Sequence, residues 1–365
     1  MRITKETPMQ AAVLAGIDKT AAEIFVLVVK GTFDLFPDGA PPRLSANQRA
    51  LAFADEYHGD PGLSSIKYAC DFPLQKPKTD VIVVGAAHSP KGQPVKALRV
   101  GLQVGDAIDK TIQVVGDRRW QMGLLSGWKP SEPEPFATMP LVYERAFGGS
   151  DTTHPNPKHH DCHRENLVGV GFHRNMDRAH ILDKLLPNLE HPKHPIANWG
   201  DTTPTMGYSF VSPNWIPRLN YAGTYDQRWV DARFPFLPDD FDEMYFQTAP
   251  ADQIVPHLKG GETVTLSNMT AHERFSFALP IFEMPVTFLY GDRDDENYTP
   301  VLDTVVIQSD DMCLQLIWRV TTKKTGKLDA LREIIIGPMS AKWWRRKKSW
   351  KPHYTSLADY ITSRS

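Results

Sequence analysis

Eight of the thirteen histidines in this 365-residue chain fall between His154 and His194. The densest run, HPNPKHHDCHREN, holds His154, His159, His160, Asp161, Cys162, His163 and Glu165. Imidazole, thiolate and carboxylate are the groups that ligate zinc, and a structural site takes four of them. The spacing here matches no usual zinc pattern: there is no CxxC, no HExxH and no second cysteine nearby. The run therefore reads as a polar surface loop whose histidines make ordinary hydrogen bonds, and no metal or cofactor is expected. Cys162 beside His163 has the residue types of a thiol–imidazole dyad, but adjacency in sequence is not catalytic geometry. Cys70 in IKYACDF and Cys313 in MCLQLIW sit in strand-like runs and read as small buried hydrophobes.

Other catalytic signatures are missing. Neither a GxSxG elbow nor a GxxxxGK[ST] loop occurs, and GVGFHR (Gly169–Arg174) lacks the third glycine and the following helix of a dinucleotide loop. GDRDDENY (Gly291–Tyr298) reads as a charged hairpin, because its glycine and terminal carboxylate miss the calcium-loop positions. The sharpest charge signal is the tail WWRRKKSWK (Trp343–Lys351), where four consecutive basic residues are flanked by tryptophans. Such a run can face a protein, a nucleic acid or an anionic surface. With 41 basic and 43 acidic residues and a net charge of −2, the whole molecule is not built for nucleic acid. A binding protein is expected rather than an enzyme. Tryptophan and tyrosine in ordered loops are the usual anchors of protein interfaces, and the expected partner-binding residues are Trp199, Trp215, Trp229, Trp343, Trp344, Arg345, Arg346 and Trp350.

The elements that would carry these residues read as strands. Thirty prolines, spread from Pro8 to Pro352, leave little room for long helices. IFVLVVKGTF (Ile24–Phe33), LAFADEY (Leu51–Tyr57) and TDVIVVGAAH (Thr79–His88) are apolar or alternating runs closed by turn residues. In KALRVGLQVG (Lys96–Gly105), Leu98, Val100, Leu102 and Val104 fall on one face. Strand signals resume with ETVTLSNMT, RFSFALP, PVTFLYGD, TVVIQSD and MCLQLIWRV, and again at Arg332–Ile336. Between them, Arg178–Leu186 and Tyr225–Phe234 are short helix candidates, the second with Thr224 as its cap. The fold class is mainly β, with antiparallel sandwich- or barrel-like sheets in two packed lobes, long ordered loops and a few short helices. The expected division is an N-terminal β lobe over 1–150, a loop-rich middle over 151–260, a C-terminal β lobe over 261–340 and a basic-aromatic tail over 341–365. No secretory signal and no membrane span are read, and three scattered cysteines suit a reducing compartment.

Several phrases are more specific than these patterns require. They are VVKGTFDL (Val28–Leu35), ADEYHGDPGLSSIKYACDF (Ala54–Phe72), MPLVYERAFGGSD (Met139–Asp151), LVGVGF (Leu167–Phe172), LPNLE (Leu186–Glu190), GTYDQRWVDARFPFLPDDFDEMYFQTAPADQ (Gly223–Gln253) and LKGGETVTLSNM (Leu258–Met269). Together they resemble a bacterial family known as the domain of unknown function twenty-one sixty-nine, over about residues 20 to 290. Members are often encoded beside type VI secretion spike and effector genes. The resemblance implies a cytoplasmic effector adaptor or chaperone that holds a toxic effector and assists its loading onto the VgrG-type spike protein. It attributes no catalytic residues. Within its phrases, Arg145 has the chemistry to pair with Asp151 or Asp60, and HGDPG reads as a turn. Two rival readings remain: a hydrolase or metal-dependent enzyme using the His/Asp-rich middle, and a nucleic-acid or membrane-surface binder using the tail.

Overall fold

In a computed structural model the described residues are 2–123, 127–174, 178–324, 330–348 and 361. They form two compact units. The larger comprises Met9–Ile281 and Val301–Thr325, the smaller Met1–Pro8, Phe282–Pro300 and Gly326–Ser365. Both are mainly β, and no sheet closes into a barrel among the described residues.

The larger unit is organised by a seven-stranded sheet. Its principal strands are β1 (Gln10–Ile17), β2 (Glu23–Asp34), β3 (Thr79–Val84), β4 (Ile254–Val255), β5 (Val301–Gln308) and β6 (Cys313–Lys323). They lie in the order β4-β3-β5-β6-β2-β1, with Arg43–Leu44 paired to the end of β2. Only β3 and β5 run parallel. The continuous apolar run of β2 has its reason here: ten consecutive residues, Ile24 to Phe33, are buried, so both faces of the strand are covered. One face carries Val26 and Val28 against Ile66, Ile82, Phe210, Val306 and Ile317.

A five-stranded antiparallel sheet holds the alternating segments. Ala97–Val104 and Ile108–Val115 form a hairpin in register Val104↔Ile108, and Thr263–Ser267 pairs on the other side of Ala97–Val104. Val100, Leu102 and Val104 are buried, as the alternation requires. Gly105 closes the turn at φ +46°.

Two segments depart from the sequence pattern. Leu51–Tyr57 is strand only at Glu56–Tyr57. Upstream, carboxylates replace the ladder: Asp71 Oδ2 accepts from the Ala52 N–H at 2.8 Å, and Asp55 Oδ1 accepts from the Cys70 N–H at 2.8 Å. Arg178–Leu186 is helical only over Arg178–Ile181. Beyond it the main chain turns to bond residues 118–120: the Asp183 N–H donates to the Trp120 carbonyl at 3.0 Å and Leu186 to Arg118 at 2.9 Å. Asp183 adopts φ +66°, which a continuing helix does not allow.

Buried ions hold the larger unit's loops to its sheets. Lys30 Nζ donates to Asp71 Oδ2 at 3.1 Å and to the Ala50 carbonyl at 2.9 Å, and lies 4.3 Å from the centre of the Tyr68 ring. Arg319 and Asp303 pair at 2.5 Å, and Lys76 and Asp80 at 2.6 Å. Lys110 donates to the Gly207 carbonyl, Asp252 and Gln253. Each cation thus has several oxygen partners, which is what makes its burial tolerable.

The smaller unit is a four-stranded sheet in the order Arg2–Lys5, Leu331–Ile336, Val286–Tyr290, Glu296–Tyr298. Val286–Tyr290 and Glu296–Tyr298 are antiparallel, so GDRDDENY is the connection and return of a hairpin. The helix Ala341–Lys348 follows, with the Ser340 hydroxyl accepting from the Trp343 N–H at 3.1 Å.

Candidate functional site

The segment from Gly223 to Phe246 builds an aromatic knob on the larger unit. Gly223 adopts φ +81°, and a Cβ there would lie 2.9 Å from Asp240 Oδ1, so glycine is needed for the approach. The next residue clasps the same carboxylate: Thr224 donates its N–H at 2.9 Å and its hydroxyl at 2.7 Å to Asp240. The helix that follows is shorter than the sequence pattern, Gln227–Ala232, and its cap is Asp226 rather than Thr224. Asp226 Oδ1 accepts from the Trp229 N–H at 2.9 Å, the usual geometry of an N-cap.

Trp229 is the hub of the knob. Its indole N–H donates to the Phe236 carbonyl at 2.9 Å. Tyr225 and Phe234 meet it edge-on, with ring centroids at 4.8 Å and 5.5 Å. Trp229 is half-buried, yet Phe234 is 65% exposed, Tyr225 54% and Val230 50%. The base is tied down by charge. Arg233 bonds the Leu237 carbonyl and the Lys19 carbonyl and pairs with Asp239, and Lys19 pairs with Glu243 at 2.8 Å. Large apolar side chains are therefore held out in water on a cross-braced support.

The other expected contact residues are dispersed. Trp199 is half-buried and stacks with Trp128 at 5.4 Å and edge-on with Trp120 at 5.0 Å. Trp215 is 2% exposed and packs edge-on against Tyr143, so it is a core residue. Trp343 is 4% exposed and packs with Ile335 and Met339; Trp344 is half-buried against it. Arg345 and Arg346 are exposed on the same helix. Trp350 lies outside the described residues. Trp215 and Trp343 thus fill interiors, and among the described tryptophans expected in contact only Trp229 joins exposed aromatic side chains. Tyr225, Val230 and Phe234 are not among the contact residues expected from the sequence. Val230 and Phe234 lie in the phrase RWVDARFPF, and Tyr225 lies just before it.

The histidine run is largely surface. His154 and His159 lie 4.4 Å apart by ring centres, and His160 Nε2 lies 2.8 Å from the His154 carbonyl. Arg174 binds Asp161 and holds its carboxyl below the usual range. His163 instead packs edge-on to Phe147 at 5.0 Å, and burial pushes its pKa down. Among the described residues no three histidine, cysteine or carboxylate groups converge as a metal would require.

The recurring phrases meet at a junction. Glu144 accepts from the N–H and the hydroxyl of Ser65 at 2.7 and 2.8 Å, joining ERAFGG to HGDPGLSS. Arg145 pairs with neither Asp151 nor Asp60; it binds Asp117 at 3.2 Å and Asn188 at 3.0 Å. Phe147–Gly148 runs parallel to Val170–Gly171, and the fully buried Asn166 donates to the Tyr143 and Phe147 carbonyls. A groove of about 380 Å³ opens beside this junction, walled by Gly148, Gly149, Gly169 and Gly171. Ser150, His173 and Asp183 also line it, with no hydrogen bond among these three described residues.

The fold and this surface define a mainly-β protein that carries an exposed aromatic knob. The chain belongs to the family described as "Uncharacterized protein conserved in bacteria (DUF2169)", whose model matches residues 20–319. No curated protein and no solved structure matches it.

Proposed function

We propose that this chain is a type VI secretion effector adaptor. It binds a toxic effector in the cytoplasm and assists its loading onto a VgrG-type spike. The observation that carries this reading is the knob: Tyr225, Val230 and Phe234 stand at least half exposed on a support fastened by Asp240, Asp226 and Arg233. Exposed aromatic side chains on a rigid base lose little conformational freedom on binding, and aromatic anchors carry most of the energy of protein interfaces. The knob lies within the phrase Gly223–Gln253 that contributes to the family resemblance. Holding and releasing cargo then requires only that the spike-bound state of the cargo has a lower affinity for the knob than the free state.

Co-expression with the products of neighbouring genes, purification through a tag on this chain and weighing of the complex test the proposal. A stable complex with a toxin-like or spike protein is expected. Phe234→Ser with Tyr225→Ser should weaken it by about 30-fold or more, the effect of losing one hot spot, with the cooperative melting transition retained. If nothing co-purifies across the locus, or the double variant binds as the wild type does, the adaptor reading fails.

A further inference from the structure

A sheet edge turns every second residue's N–H and C=O outward, and proteins guard such edges with short strands, charges or proline. In the three largest sheets five of the six edges, among the described residues, are guarded this way. Leu189–Glu190 and Ile254–Val255 are two residues long, Glu296–Tyr298 is three, Arg274–Ala278 begins with arginine, and Arg2–Lys5 carries a cation at each end. The sixth is β1. It has eight residues, QAAVLAGI, with no charge and no proline, and among the described residues it pairs only with β2. Leu14, Ala15 and Ile17 are exposed, Leu14 by 41% and Ile17 by 45%.

We propose that β1 is an acceptor edge. It takes an extended, uncharged segment of a bound protein as a further strand of the seven-stranded sheet, and the same segment continues onto the aromatic knob. Three observations select this occupant. The outward backbone groups of β1 are matched along their whole length by another extended main chain. Both faces of β1 are free of charge, with Gln10, Ala12, Leu14 and Gly16 on one and Ala11, Val13, Ala15 and Ile17 on the other. A charged side chain on either face of the added strand would meet no counter-charge there. Finally, the knob is fastened to the turn that ends β1, through Arg233 on the Lys19 carbonyl and the Lys19–Glu243 pair. The knob's base is therefore anchored at the end of the edge strand. An eight-residue edge alone is small against the roughly 1,000 Å² that a specific interface buries, which favours a partner reaching the knob over a second copy paired through the edge. The donor's identity as cargo rests on the adaptor reading; the acceptor edge does not.

The probe is a fluorescein-labelled peptide of eight alternating alanine, valine and leucine residues with a lysine at each end. Its control has proline at the centre. Anisotropy should show saturable binding of the first and none of the second, and amide exchange should slow in residues 10–17. Leu14→Lys with Ala15→Lys puts a charge on each face of the edge at exposed positions, and should weaken binding at least tenfold. Ile17→Lys repeats the test should that variant unfold. Absence of saturable binding, equal binding by the variants, or protection that leaves residues 10–17 unchanged overturns the proposal. So does a wild-type dimer that the lysine variants convert to monomer, since the occupant is then a second copy. Peptide binding without any co-purifying neighbour product keeps the edge and removes the adaptor reading; a cargo complex indifferent to the lysine variants does the reverse.

Discussion

At the scale of single residues, the charged groups of the recurring phrases act as mortar. Burial pushes the Lys30 amine down in spite of Asp71 beside it, and pushes the Glu190 carboxyl up in spite of Arg118 at 2.5 Å. In both cases desolvation outweighs the partner, so these pairs fix the arrangement of segments more than they add to stability. The half-buried histidines have a consequence for pH. His163 and His173 are both lowered from 6.5 by burial. Below 6.5 the unfolded chain takes up protons that the folded chain refuses, so stability falls as pH drops from 6.5 toward the folded values. Glu190, raised above 4.5, has the opposite sign: its contribution is lost as pH rises through its folded value. The urea midpoint is thus expected to fall between about pH 7 and about pH 5.5, and His163→Gln with His173→Gln should flatten that fall. An unchanged slope in the double variant would show that other groups control it.

At the scale of elements, the glycines of ERAFGG and LVGVGF mark how closely two segments approach. A Cβ on Gly169 would lie 2.4 Å from Asn166 Nδ2 and 2.5 Å from the Ala146 carbonyl. Gly169→Ala must therefore separate Phe147–Gly148 from Val170–Gly171, at a cost of roughly 1–3 kcal/mol for overpacking. A urea midpoint equal to the wild type's would sink this account. Elements of this kind differ in how far sequence reveals them. The strand read at Ile24–Phe33 is Glu23–Asp34, and the face read from Leu98 to Val104 is the buried face of Ala97–Val104, because both signals are local periodicities. Leu51–Tyr57 alternates equally well but bonds to Asp71, nineteen residues away from Ala52, a partner that no periodicity shows. The contact surface was legible only in part for the same reason. Trp229 is conspicuous by type, whereas the exposure of Phe234 depends on what fails to cover it. The bareness of Gln10–Ile17 depends on a strand order set by residues about three hundred positions away in sequence.

At the scale of the molecule, that strand order decides what is separable. Two of the four inner strands of the seven-stranded sheet, β5 and β6, come from late in the chain. β5 runs parallel to β3 over Thr304–Gln308, and β6 pairs with β2 along eleven residues, from Cys313↔Asp34 to Lys323↔Ile24. The early strands β1, β2 and β3 therefore do not form a sheet by themselves: without β5 and β6 they leave a β1–β2 hairpin and a β3–β4 pair with no ladder between them. The apolar side chains Val26, Val28 and Ile82 would lose Val306 and Ile317 from their common cluster. A chain ending at residue 281 retains every residue of the knob and the whole of β1, yet lacks the strands that order them. It is expected to show no cooperative thermal transition by circular dichroism and no binding in either test above. A cooperative melt with retained near-ultraviolet signal would mean that the first 281 residues fold without β5 and β6. The surface would then be a property of its own segments. If the truncated chain is instead unfolded, binding depends on residues that touch no partner, and substitutions in β5 and β6 will mimic interface variants while acting only through stability.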